Sequence, residues 1–203
     1  MTPGNQDNLR KALSTHFDEQ EADCLASIFL ICLDKEITAY EDLTSACPDV
    51  DDGLLTAFEE RALLPVSGAP ASAWEEKSLL LGPGQLFFMP SVARFLLRHA
   101  LWSGRLDTDQ ALSGVLSLCP AVDIQPLIRL VRQTMLHARS RHFEAGLMLP
   151  LAKGMNLQAD LHETVDFFVS AGVISPCKRA TLTSGLAWYE INPCLYWEGY
   201  VQD

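Results

Sequence analysis

The chain has 203 residues, nearly half of them apolar, with 15 basic and 26 acidic residues and a formal net charge of −11. This composition supplies a packed core and excludes a disordered chain. The negative balance repels phosphate and disfavours a protein that holds nucleic acid by general electrostatics. No apolar run approaches the ~20 residues of a bilayer span. The opening MTPGNQDNLRKAL lacks the apolar core of a signal peptide, so a cytoplasmic setting is expected.

In chain order, the first helix is predicted to start after Asp18. Asp18 caps it with Glu21 three residues on, and Leu25, Ile28, Phe29, Cys32 and Leu33 share one face. Thr38 and Glu41 have capping-box spacing for a short second helix that stops before Pro48. Asp49, Asp51 and Asp52 open a third, favouring the positive end of its dipole; its predicted buried stripe is Leu54, Leu55, Phe58 and Ala62. After Pro65 the period changes, and SLLLGPGQLFFMP reads as a hairpin over 79–89 turning at Gly82-Pro83-Gly84. Ser91 is expected to cap a helix ended by Gly104, and Asp107 starts another that stops before Pro120.

The second half repeats the plan. Asp123 and Pro126 open a long helix with Leu127, Leu130, Val131 and Met135 inside. FEAGLMLPLAKG is a short second helix, and a third carries Leu161, Val165, Phe168 and Val169 to Gly172. A hairpin over 178–192 is then predicted, turning at Ser184-Gly185. Phe58-x-x-x-Ala62-Leu63-Leu64 and Phe168-x-x-x-Gly172-Val173-Ile174 share a spacing, so Phe58 and Phe168 are expected to be equivalent buried residues.

Three helices followed by a hairpin, twice over, resembles the winged-helix superfamily in a tandem arrangement. The resemblance covers roughly residues 19–102 and 123–197 and rests on element order. It implies a mainly α protein with small β-hairpins: two winged-helix-like units joined by helices, residues 1–106 and 107–203. A helix inside either hairpin span, 79–89 or 178–192, would reject the tandem winged-helix reading. The superfamily implies binding to DNA or to proteins, with the third helix as groove reader. Here the exposed positions of the third helices include Asp51, Asp52, Thr56, Glu59, Glu60, Asp160, His162, Glu163 and Asp166, and a phosphate-lined groove repels the carboxylates among them.

Residues 124–159 run the other way, with five basic residues and one acidic. Arg129, Arg132 and Arg139 are read as a helical stripe, Arg141 lies just beyond, and Lys178 and Arg179 start the second wing. These six are the candidate partner-binding cations, either for an acidic protein or for DNA. Trp188 and Trp197, in the terminal WYEINPCLYWEGY, are read as a core seal or as interface anchors.

No catalytic, nucleotide-binding or zinc-protease motif is present. The six cysteines are expected to be buried free thiols. The expected hairpin could set Cys177 opposite Cys194, but zinc usually wants four ligands and no second pair is visible. The expectation is therefore a non-catalytic protein without metal or cofactor, acting through protein–protein contact or self-association. The alternative is a DNA-binding regulator using the second unit.

Overall fold

The computed structural model describes residues 3–67, 72–118, 123–157 and 161–198, together with the backbone but not the side chains of Pro3 and residues 179–181. The protein is mostly helical with two small antiparallel sheets of three strands each. Helix α1 spans Pro3–Leu13 and α2 spans Glu19–Leu33. Strand β1 (Ile37–Ala39) runs directly into α3 (Tyr40–Leu43), and α4 (Val50–Glu59) follows. Strands β2 (Leu64–Pro65) and β3 (Leu86–Phe88) complete the first sheet, in the order β1-β3-β2. Helices α5 (Ser91–Ser103) and α6 (Thr108–Leu116) then connect to the second half.

That half holds α7 (Gln125–His137), β4 (His142–Glu144), α8 (Met148–Gly154), α9 (Leu161–Ser170), β5 (Ile174–Pro176), α10 (Lys178–Ser184) and β6 (Trp188–Ile191). Its sheet has the matching order β4-β6-β5. One apolar cluster runs from Leu9 to Trp197 through both halves. Among the described residues no helix is long and apolar enough to cross a membrane.

Local signals place most helix ends as expected. The Asp18 carboxylate accepts from Glu21 N at 2.9 Å, and the Asp107 carboxylate from Gln110 N at 2.9 Å. Gly104 and Gly172 end their helices with φ of 69° and 74°, a region an L side chain enters only with strain. Pro120 lies outside the described residues.

Both hairpins depart from expectation. The partner of β3 is Leu64–Pro65, not residues 79–81: β1 and β2 already occupy both edges of β3, so the Leu79–Leu81 run has no ladder to join and Leu80 is 69 % exposed. In the second half, residues 178–184 are helix α10, and β6 pairs instead with Ile174–Pro176. Their alternation was too short to separate strand from helix. Strands β1 and β4 were not anticipated, and neither was α1, whose Leu9, Ala12 and Leu13 are fully buried.

The expected Phe58–Phe168 equivalence is off by one residue. Ala62 N bonds Ala57 O at 2.9 Å, as Val173 N bonds Phe168 O at 2.9 Å. Arg61, at φ 54°, stands where Gly172 does, and Ala57 where Phe168 does. Phe168 is accordingly fully buried, while Phe58 is half-buried with the Arg61 guanidinium 5.2 Å above its ring. Leu55, expected inside, is exposed.

Candidate functional site

The two halves meet along a polar seam. Strand alternation turns Phe143, Tyr189 and Ile191 towards the helices of the second half, where the Phe143 and Tyr189 rings stack at 5.6 Å. The opposite face carries His142, Ser175, Cys177 and Glu190. Residues of the first half bind it: Arg61 Nε lies 3.3 Å from Glu190 Oε1, and Trp74 N donates to Ser175 Oγ at 3.0 Å. Asn192 Nδ2 donates to the carbonyls of both equivalent helix-end residues, Gly172 at 2.9 Å and Arg61 at 3.3 Å.

Within the seam a ring nitrogen of His142, Cys177 Sγ and a Glu190 carboxylate oxygen lie within 4.8 Å of one another. His142 Nδ1 is 2.6 Å from the Ser140 carbonyl, which can only accept, so Nδ1 carries a proton and the lone pair of the neutral ring is on Nε2. Burial, then the Glu190 and Glu75 charges, push the Cys177 thiol up to about 12, against a smaller opposing effect of Arg61. A protonated buried thiol is a poor nucleophile, so thiol catalysis gains no support here. Sequence spacing had no means of finding this group, because its members come from β4, β6 and the residue just after β5.

The candidate cations do not form a free stripe. Arg132 is largely buried and pairs with Asp109 at 2.7 Å and Glu198 at 3.7 Å. Arg141 is 3.6 Å from Glu60, and Lys178 is 2.7 Å from Glu76. Arg129 is exposed on α7; Arg139 is exposed too, but it lies beyond the end of that helix. Lys178 and Arg179 belong to α10 and not to a wing strand, and the Arg179 side chain lies outside the described residues. Trp188 is half-buried, its Nε1 donating to Ser184 Oγ at 3.0 Å. Trp197 is no interface anchor: it is 2 % exposed, packs on Phe17 at 5.2 Å and donates to Glu60 Oε2 at 2.8 Å. It seals the core, one of the two roles its composition suggested.

The cysteines also differ from expectation. Cys24 and Cys47 form a disulfide, whereas Cys32 and Cys194 are buried thiols and Cys119 lies outside the described residues. The disulfide is in the wall of an open groove of about 1100 Å³ bounded by α1, α2 and α4. Seven carboxylates line it (Asp7, Asp18, Glu19, Glu21, Asp23, Asp49 and Asp52) with one cation, Arg10, itself 3.3 Å from Asp23. Of the exposed acids of α4, Asp52 belongs to this negative groove, with Asp49 just before the helix. On α9, His162 and Asp166 pair at 3.1 Å; Asp160 lies outside the described residues.

Comparison with protein-family models, with curated proteins and with solved structures finds no match.

Proposed function

We propose that this chain is a non-catalytic binding protein that docks a basic protein segment in the α1–α2–α4 groove. The observation that carries the reading is the groove's charge, seven carboxylates to one arginine. Such a concentration of one sign attracts a lysine- or arginine-rich partner and repels a phosphate backbone. The DNA alternative loses support, because Arg132, Arg141 and Lys178 are engaged with carboxylates of the same chain. The winged-helix part of the reading rests on element order: three helices, then two strands paired side by side, in each half. Helix α10 falls inside the second hairpin span, where a helix was expected to reject the tandem reading, and the docking proposal therefore rests on the groove. A cytoplasmic setting belongs to the same proposal, and the Cys24–Cys47 bond is what stands against it, since reducing compartments keep thiols reduced.

The test is fluorescence anisotropy with a labelled lysine- and arginine-rich peptide. Binding is expected at 0.05 M salt and weaker at 0.15 M, where the Debye length shortens to ~8 Å. The double change Glu19→Lys and Asp52→Lys should weaken it at least tenfold. Equal affinity in that variant would remove the groove as the docking site. Sub-micromolar, sequence-selective binding to duplex DNA at 0.15 M salt would instead promote the regulator. Concentration-dependent dimerisation lost in the same variant would make a second copy, offering Arg129 and Arg139, the partner.

A further inference from the structure

The donor set of the seam belongs to metal chemistry. His142 faces Glu190 directly across the β4–β6 ladder, and Cys177 is hooked to the same central strand by its N–H on the Trp188 carbonyl at 2.8 Å. Sulfur, imidazole nitrogen and carboxylate oxygen together suit a borderline divalent ion such as zinc, rather than calcium or magnesium, which prefer oxygen alone.

The first sheet is an internal control. There Ile37 faces Phe88, as His142 faces Glu190, and Val66 N bonds the Leu86 carbonyl at 2.8 Å, as Cys177 does that of Trp188. The positions of His142, Cys177 and Glu190 are therefore those of Ile37, Val66 and Phe88. The same ladder is built with three apolar residues, so nothing in the strand pairing requires the polar trio.

The surroundings also fit ligation. With Nδ1–H donating to the Ser140 carbonyl, Nε2 is the nitrogen available to an ion, and a backbone acceptor of this kind fixes the ring of a metal-binding histidine. Arg61 holds Glu190 Oε1 and leaves Oε2 to coordinate. We propose that His142, Cys177 and Glu190 form a zinc-type site at the seam, with water completing a four-coordinate shell. Metal–ligand distances of about 2.0–2.3 Å set donors roughly 3.3–3.8 Å apart. One donor atom of each residue now lies within 4.8 Å of the others, about 1 Å beyond that spacing, and side-chain rotation is what must bring Nε2 and Oε2 into the shell. Binding replaces the thiol proton, which passes to solvent, and no electron is transferred. The thiolate and carboxylate then balance the two positive charges of the ion.

This inference is independent of the acidic groove. It is tested by titrating the intact, disulfide-bonded protein with Co²⁺, following the thiolate-to-cobalt charge-transfer band in the near ultraviolet. One equivalent is expected to bind, Zn²⁺ should displace it, and Cys177→Ser should abolish the band. His142→Ala, at a half-buried strand end, should weaken binding at least tenfold. If Cys177→Ser fails to fold, judged by circular dichroism, His142→Ala alone decides. Absence of the band in the native protein, its persistence in folded Cys177→Ser, or unchanged affinity in folded His142→Ala would each overturn the site.

Discussion

The two halves are built on one ladder and filled with opposite chemistry. In the first sheet the face shared by Ile37, Val66 and Phe88 is apolar, and Ile37 stays 49 % exposed. In the second, the equivalent face is His142, Cys177 and Glu190, tied to the first half through Arg61. The helices that lead into β2 and β5 end differently as well. One turns at Arg61, whose side chain reaches Glu190; the other turns at Gly172, where an added Cβ would run into Pro90. Backbone pairing alone thus dictates neither a core nor a site. The residues that fill the repeated positions decide whether a sheet face is left open or becomes a seam.

The sharpest break in this comparison is at the third helices. Phe168→Ala removes a fully buried ring and should cost about 3–5 kcal/mol, whereas Phe58→Ala, at a half-buried ring, should cost about 1–2 kcal/mol. Equal losses in chemical denaturation would restore the Phe58–Phe168 equivalence and reject the one-residue correction. Next is the disulfide, which only the first half carries among the described residues. It spans 23 positions, so Cys47→Ser should cost about 3 kcal/mol by loop entropy, and a negligible loss would show that the bond does not form in solution. The smallest effect separates two glycines of the second half. At Gly172 an added Cβ meets Pro90 Cβ at 2.5 Å on top of the left-handed φ, while Gly185, at φ 73°, has nothing within 4 Å. Gly172→Ala should cost about 2–3 kcal/mol and Gly185→Ala about 1 kcal/mol. Similar melting temperatures for the two variants would mean that the contact with Pro90 relaxes freely.

Much of the helical layout was legible. The caps at Asp18 and Asp107 and the stops at Gly104 and Gly172 are read from a few adjacent residues, because the groups they satisfy lie within one turn. Helix α1 was legible too, in the spacing of Leu9, Ala12 and Leu13, but its polar exterior masked it. The strands were harder. Three-residue strands carry almost no period, and the choice between Leu64–Pro65 and Leu79–Leu81 as the partner of β3 depends on which segment reaches the free edge. The candidate sites were nearly invisible. Glu60 reads as an exposed acid of a groove-reading helix, yet it accepts from Trp197 Nε1, 137 positions away, and lies beside Arg141.

By itself the sequence determined the helical class, the acidic surface and most of the helix ends, since these follow from composition and from neighbours within a turn. Tertiary structure alone decided the strand partners, the Cys24–Cys47 bond and the fate of the arginines. It also brought together His142 of β4, Glu190 of β6 and Cys177, just past the end of β5. Each of these depends on groups far apart in the chain meeting at a few ångströms, and that distance is set by packing the two halves against each other, not by spacing along the chain.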